Sequence, residues 1–196
     1  EKYKNEIIKN LMGKLSLKNT HAVPKINKIV LNMGLGAEAL EKKKLESCIK
    51  DVAAIAGQQP VITKFRKSIS NFKSRKGSNA GLKVTLRNDR MYEFIDRLVN
   101  IALPRIKDFK GLKDSSCDRF GNFSFGIKEH IIFPEINFDK VETIRGLDVT
   151  IATTSQNKEN TIHLLKEFNF PIIKDTSKKK KKFKKIVIKE EKKENN

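Results

Sequence analysis

The sequence predicts an α+β fold in which a mostly antiparallel sheet carries helices on one face and leaves the other face open. Two observations support this fold class. Several segments repeat apolar residues at helical spacing, and shorter segments between them alternate apolar residues with polar or basic ones. Because such a strand buries only one side, helices are expected to cover only that side. With 196 residues and 38% hydrophobic content, the chain can bury a substantial core.

Four segments have the periodicity of amphipathic helices. The second is closed by Gly57 and Pro60, and the third runs from a predicted cap at Asn88 or Asp89 to Pro104. The apolar positions, in chain order, are Tyr3, Ile7, Ile8, Leu11, Met12 and Leu15; Leu45, Cys48, Ile49, Val52, Ala53 and Ala56; Met91, Phe94, Ile95, Leu98, Val99 and Ala102; and Ile162, Leu165 and Phe168.

Four further segments have the alternation of half-buried strands. The inward positions of the first three are Ile29, Leu31 and Met33; Leu82, Val84 and Leu86; and Phe123, Phe125 and Ile127. The residues between them are polar, basic or small, and the fourth strand is expected over residues 147–154.

The composition changes near the carboxyl terminus. Residues 1–173 are predicted to form one domain, and residues 174–196 to form a basic, low-complexity tail that is disordered until it binds a partner. The tail contains a run of lysines: Lys178, Lys179, Lys180, Lys181 and Lys182.

The charge of the chain indicates a polyanionic partner. Lys and Arg number 42 against 23 Asp and Glu, which gives a net charge of +19. Nucleic acid is the preferred partner, while a basic surface that serves only solubility and an anionic membrane surface are the alternatives. No apolar run approaches the roughly 20 residues that span a bilayer. Cys48 and Cys117 lack the spacing of a zinc site or a disulfide framework, so a reducing compartment is expected.

One motif suggests an enzyme. Gly34 and Gly36 follow a strand and precede a helix, as in dinucleotide-binding folds. Those folds also have an acidic residue about 20 residues later, at the end of the next strand, to bind the ribose. Here the corresponding stretch, residues 52–59, is predicted to be helix and turn. His21, His130 and His163 have no metal-ligand spacing and are expected to be surface or strand residues. We therefore predict no enzyme, no catalytic residue, no cofactor and no metal site.

Residues 63–81 combine basic residues with two phenylalanines and contain no acid. Cations attract phosphates, and an exposed ring can stack on an unpaired base, so this stretch predicts RNA binding. The open sheet face is expected to bind RNA as well. The cations predicted to contribute nonspecific affinity are Lys64, Arg66, Lys67, Lys73, Lys83, Arg87 and the five lysines of the tail.

Several blocks in order resemble bacterial-type large-subunit ribosomal protein five. They are KIVLNMG at 28–34, AGQQPVITK at 56–64, KVTLR at 83–87, ALPRIKDF at 102–109, GNF at 121–123, IIFPE at 131–135 and RGLD at 145–148. The resemblance covers about residues 3–171. It implies a structural constituent of the large ribosomal subunit that sits in the central protuberance and binds 5S and large-subunit ribosomal RNA. It also implies contact with transfer RNA in the peptidyl site and a bridge to small-subunit protein thirteen.

The resemblance also implies roles for single residues. Those expected at the 5S RNA surface are Asn32, Gln58, Phe72 and Thr85. Arg75, Lys76 and Gly77 are expected at the tip of the loop that reaches transfer RNA, and Gly77 and Gly81 are expected to keep that tip flexible. Abundant Lys, Asn and Ile, together with the GIKEH segment at 126–130, favour a mitochondrial ribosome, with plastid or bacterial cytoplasmic ribosomes as alternatives.

Overall fold

A computed structural model of the chain describes residues 3–72, 74–138, 141 and 143–174. Its strands are β1 Ile26–Gly34, β2 Val61–Lys64, β3 Asn79–Leu86, β4 Leu112–Lys113, β5 Phe123–Ile127, β6 Leu147–Thr153 and β7 Ile172–Ile173. Its helices are α1 Ile8–Leu15, α2 Lys42–Ala56, α3 Asn88–Arg97 and α4 Lys158–Glu167. One π-helical turn, Tyr3–Ile7, precedes α1, and another, Leu98–Ala102, continues α3.

Within the described residues, the main sheet has the strand order β2–β3–β1–β6–β5, and all its neighbouring strands are antiparallel. The central strand β1 buries Ile29, Leu31 and Met33, whereas Val30 and Asn32 between them are half-buried. The predicted α+β class and the alternation of β1 are therefore confirmed. A short parallel pair, β4 with β7, lies outside this sheet.

The edge strand β2 is the strand of the main sheet that the sequence pattern missed, and the short strands β4 and β7 outside that sheet were missed as well. Val61 and Ile62 are both exposed, so its apolar residues do not alternate between a buried and an open side. Periodicity detects strands through one-sided burial, and that signal is absent here. Pairing with β3 alone sets this strand, with Val61 opposite Lys83.

The helices pack their apolar faces into one core with the inner face of the sheet. Helix α2 buries Leu45, Cys48, Val52 and Ile55 and ends at Gly57, whose φ of +62° matches the predicted stop. The buried face of α2 is slightly rotated from the predicted one, since Ile49 and Ala53 are only half-buried and Ile55 is fully buried.

Two helix details differ from the sequence prediction. No side chain caps α3, because the residue before it is the extended Arg87 and makes no capping hydrogen bond, so the predicted cap at Asn88 or Asp89 is wrong. Helix α4 turns Thr161 into the core, where its hydroxyl donates to the carbonyl oxygen of Gly121 at 2.8 Å. A pattern of apolar residues does not detect a threonine that is buried because its hydroxyl is hydrogen-bonded, so the sequence prediction placed Ile162 on the buried side instead.

Gly81 sits within β3, opposite Gly34 of β1, and is buried. A Cβ added at Gly81 would lie 2.4 Å from the carbonyl oxygen of Met33, whereas one added at Gly34 would meet nothing within 4 Å. The expectation that Gly81 is a flexible loop residue is therefore wrong. Its small size lets two backbones approach each other closely.

We predict that Gly81→Ala lowers the free energy of unfolding by about 1–3 kcal/mol, because a backbone oxygen cannot rotate out of the way. Gly34→Ala is the matched control on the partner strand and should change stability by about 0.5 kcal/mol or less. Urea denaturation of both variants measures the difference. Equal stability of the two variants would show that the strands can separate at no cost.

His130 is fully buried, contrary to its predicted place on the surface or in a strand. Its Nδ1 accepts a hydrogen bond from the backbone N–H of Arg145 at 3.1 Å. Its Nε2 lies 3.9 Å from a carboxylate oxygen of Asp51, too far for a hydrogen bond, and has no partner among the described residues. Burial lowers the pKa of His130 and raises the pKa of Asp51.

This burial makes stability depend on pH in a defined direction. Below the ordinary histidine pKa of 6.5 the unfolded chain takes up a proton that the folded chain resists, so the free energy of unfolding falls as pH falls. The raised pKa of Asp51 acts in the opposite sense, because the folded chain retains a proton that the unfolded chain releases above the ordinary aspartate value of 3.8. The window from about pH 7.5 to 5.5 spans the ordinary histidine pKa of 6.5, so the contribution of His130 is measured there.

We predict that His130→Asn, which keeps an acceptor near the N–H of Arg145, flattens this slope between about pH 7.5 and 5.5. The exposed His21 provides the control, since His21→Asn should leave the slope as it is. Denaturation at a series of pH values measures the slope of the free energy of unfolding for each variant. An unchanged slope in the His130 variant would mean that the pKa of His130 is the same in the folded and unfolded chains, and would contradict the prediction.

Candidate nucleic-acid interface

The face of the sheet opposite the helices brings three of the predicted residues together. Lys83 of β3 lies directly opposite Asn32 of β1, and Thr85 is opposite Val30, one row further along. Lys83 is exposed, while Asn32 and Thr85 are half-buried. Because residues two apart on a strand share a face, this arrangement sets a cation, an amide and a hydroxyl side by side on the open side.

The other half of this face is polar but carries an acid. Asn32 Nδ2 donates to a carboxylate oxygen of Asp148 on β6 at 3.4 Å, and Ser124 donates to Thr150 at 3.1 Å. Sequence reasoning predicted these strands but did not single out their outward residues. The carboxylate repels phosphate, so the β3 half of the face suits a polyanion better.

Arg87 and Gln58 flank the β3 half. Arg87 is exposed and extended, with φ −141° and ψ 162°, so it continues the alternation that places Thr85 outward. Gln58 is half-buried and precedes β2, whose first residue, Val61, pairs with Lys83. Since β2 runs antiparallel to β3, the turn that holds Gln58 lies at the Thr85 end of β3.

A hairpin loop, described at residues 65–72 and 74–78, extends β2 and β3 beyond the sheet. At its base, the backbone N–H of Phe65 donates to the carbonyl oxygen of Ser78 at 2.9 Å. Further out, Ile69 and Ser74 exchange two backbone hydrogen bonds of 3.1 and 3.2 Å. The described part of the basic stretch predicted from the sequence is therefore a hydrogen-bonded projection from the sheet.

The tip of this hairpin is the 3₁₀ turn Ser70–Phe72, so the predicted tip at Arg75, Lys76 and Gly77 is wrong. Backbone pairing closes the hairpin before residue 75, which puts those three residues on the returning arm. There the backbone N–H of Lys76 donates to the hydroxyl of Ser68 at 2.9 Å, and Gly77 has a φ of +85°.

The two phenylalanines of the hairpin have different surroundings. Phe72, at the tip, is 77% exposed, whereas Phe65, at the base, is half-buried. Phe72 therefore belongs to the hairpin and does not share the sheet face with Asn32 and Thr85. An exposed ring beside cations can stack on an unpaired base.

The described cations of the hairpin and its base are all exposed: Lys64, Arg66, Lys67, Arg75 and Lys76. No ion pair found among the described residues involves any of them. Their charge is therefore available to an external anion. Lys73 and the tail lysines, residues 178–182, lie outside the described residues.

The glycine turn does not form a dinucleotide site. Gly36, with φ +55°, begins a 3₁₀ turn, Gly36–Leu40, and the strand before it belongs to an antiparallel sheet. Dinucleotide-binding folds instead lead a parallel strand directly into a helix that faces the pyrophosphate.

Two other features, a metal-binding cluster and a membrane-spanning helix, are absent from the described part of the chain. No group of three or more His, Cys, Asp or Glu residues there could hold a metal ion. No described helix has both the length and the apolar character needed to cross a membrane. Cys48 and Cys117 are free thiols whose burial raises their pKa.

An open polar sheet face next to a hairpin whose described cations form no ion pairs is the kind of surface found in nucleic-acid-binding proteins. Two family models match the chain: the model described as Ribosomal protein L5 matches residues 19–75, and the model of the C-terminus of the same ribosomal family matches residues 79–172. Strands β1 and β2 come from the first region and β3, β5 and β6 from the second, so the two regions form one sheet.

Known relatives agree with the family models. The chain is 56% identical over 174 residues to the large ribosomal subunit protein uL5 of Pelagibacter ubique (strain HTCC1062), covering 89% of this chain and 95% of the relative. It is 50% identical over 169 residues to the protein of the same name from Dichelobacter nodosus (strain VCS1703A), covering 86% and 94%. The chain belongs to the ribosomal protein L5 family, which confirms the resemblance seen in the sequence.

Proposed function

We propose that this chain is a non-enzymatic structural constituent of the large ribosomal subunit and binds ribosomal RNA through the β3 half of its open sheet face. The main support for this proposal is that Asn32, Lys83 and Thr85 share this face beside the basic hairpin. Membership in a family whose relatives are named large ribosomal subunit proteins supports the assignment.

The chemistry of the face favours 5S and large-subunit ribosomal RNA over a double helix that is recognised through its base sequence. Asn32, Gln58 and Thr85 present short hydrogen-bonding groups that can reach 2′-hydroxyls and exposed base edges. Lys83 and Arg87 supply charge next to them. We assign these residues to 5S RNA in the central protuberance, with Phe72 stacking on a base further out on the hairpin.

The hairpin is assigned to transfer RNA in the peptidyl site. Arg75, Lys76 and Gly77 project from the sheet on the returning arm, and backbone hydrogen bonds order the arm without neutralising its cations. A bridge to small-subunit protein thirteen completes the proposed partners.

The arrangement of the chain is also part of the proposal. Residues 1–173 act as one RNA-binding domain, and the lysines of residues 174–196 add nonspecific electrostatic affinity for RNA. A mitochondrial ribosome is our proposed location, based on the abundant Lys, Asn and Ile and the segment at 126–130. Tagging the protein in its source cells and imaging it would test that location.

The isolated protein should bind 5S RNA with an affinity that falls steeply as salt rises, because cations that contact phosphates release condensed counterions. Thr85→Val removes one hydroxyl at constant shape and should weaken the complex by about 1–3 kcal/mol if the hydroxyl pairs with RNA. Filter binding across a salt series measures both effects.

Thr150→Val is the matched control, since Thr150 flanks Val30 on the β6 side as Thr85 does on the β3 side. Its hydroxyl already pairs with Ser124, so its loss should change RNA affinity little. An affinity that is flat in salt, or a folded Thr85 variant that binds 5S RNA normally, would refute the assignment.

Replacing Arg75 and Lys76 together with Ala should reduce retention of peptidyl-site transfer RNA a few-fold, because exposed cations contribute modestly and are screened by salt. Binding of 5S RNA and subunit assembly should persist, since the sheet residues are unchanged. Lys42→Ala with Lys43→Ala makes the same change in charge at an exposed site on α2.

Filter binding of transfer RNA to reconstituted ribosomes compares the two double variants. Normal retention with the hairpin variant, or a primary defect in 5S RNA incorporation, would show that the hairpin contacts a different RNA.

A further inference from the structure

A groove of about 630 Å³ lies between the π-helical turn Tyr3–Ile7, helix α3 with the turn that continues it, and the end of helix α4. The rings of Tyr3, Tyr92 and Phe168 line it, with centroids 6.1–6.2 Å apart and planes within 26° of parallel. None of the roles proposed above uses this aromatic groove.

The groove is acidic in a chain whose net charge is +19. Asp89, Glu93 and Asp96 line it, at spacings of four and three residues that place them on one side of α3. All three are exposed, and no Lys, Arg or His is among the described residues that line the groove. Negative charge is therefore concentrated at this place, next to apolar rings.

The walls of the groove are held in place by contacts across the chain. The hydroxyl of Tyr3 donates to the carbonyl oxygen of Pro24 at 3.2 Å, and burial raises the pKa of Tyr3 to about 12, so the donor stays protonated. Lys14 of α1 pairs with Glu167, the residue before Phe168. A preformed site loses less entropy when it binds a partner.

These features select the chemistry of the occupant. Three carboxylates repel phosphate, so the groove is unsuited to RNA. A Lys or Arg side chain suits it, because its methylene stem can cover the rings while its cation contacts the carboxylates and the ring faces. The volume exceeds the needs of one ammonium group and fits several side chains of a peptide.

We propose that the aromatic groove binds a Lys- and Arg-rich segment of a neighbouring protein in the assembled subunit. The proposal goes beyond RNA binding and relies on the proposed function only for the assembly in which the partner is found. The lysine-rich tail of this chain has matching charge, but the proposed function commits it to RNA, whose phosphates are denser than these three carboxylates.

The first test uses a fluorescent 12-residue peptide that alternates Lys and Leu, with the full-length protein as receptor. We expect saturable binding that weakens roughly tenfold in Asp89→Asn/Glu93→Gln/Asp96→Asn, because three modest cation–carboxylate contacts are lost. The matched control, Glu46→Gln/Glu129→Gln/Glu159→Gln, removes three exposed acids elsewhere and should stay within about twofold.

Two further comparisons separate the groove from general electrostatics. Tyr92→Leu keeps apolar volume but removes a ring, and should weaken the peptide a few-fold while thermal melting shows an intact fold. A peptide with Glu in place of Lys should not bind. Equal weakening by both triple variants, or binding of the Glu peptide, would overturn the proposal.

The second test locates the partner in purified large subunits by zero-length carbodiimide cross-linking and mass spectrometry. Links from Asp89, Glu93 or Asp96 to lysines of another protein are expected. Links only to the lysines of residues 178–185 of this chain, or no links from these acids, would overturn the proposal.

Binding of 5S RNA by both triple variants is measured in parallel. It should be the same in the two variants, because their changes in charge are equal and neither touches the open sheet face. RNA binding that persists while the groove tests fail would reject the groove alone, whereas loss of RNA binding in the unmodified protein would reject the proposed function.

Discussion

The register of β1 between β3 and β6 determines which residues of the sheet meet solvent. Ile29, Leu31 and Met33 enter the core at no more than 1% exposure, and the same alternation turns Val30 and Asn32 outward. A shift of one residue would bury the polar set and expose the apolar one. Hydrophobic burial on one side of the strand thus places the hydrogen-bonding groups on the other.

The close approach of β1 and β3 depends on this register. Where Met33 and Gly34 pass Gly81, there is no space for a Cβ on β3. Beyond this point β3 continues into the hairpin shared with β2. The same strand pair therefore positions both the open face and the basic projection, which explains how two distant stretches of sequence form one surface.

Elements that bury only one side were predicted correctly from the sequence. The prediction failed where backbone pairing or polar contacts determine the local structure. β1, β3, β5 and β6 have clear alternation, while β2 exposes Val61 and Ile62 and is fixed only by β3. The hairpin tip was misplaced because the Ile69 and Ser74 backbone bonds leave no trace in composition. Residue types alone do not show which backbone groups will pair.

The distribution of charge has a physical logic that the net charge conceals. The cations of the hairpin lack ion pairs among the described residues, whereas Arg145 and Arg97 pair with Glu38 and Glu135. Cations paired in this way add little field outside the protein, whereas the exposed cations of the hairpin and Lys83 of β3 contribute directly to the external positive potential. The carboxylates of α3 lie on the helical side, where they do not oppose RNA on the open face. Because these three carboxylates lie away from the hairpin and from Lys83, the two proposed sites, one for a polyanion and one for a cation, can coexist in one small protein.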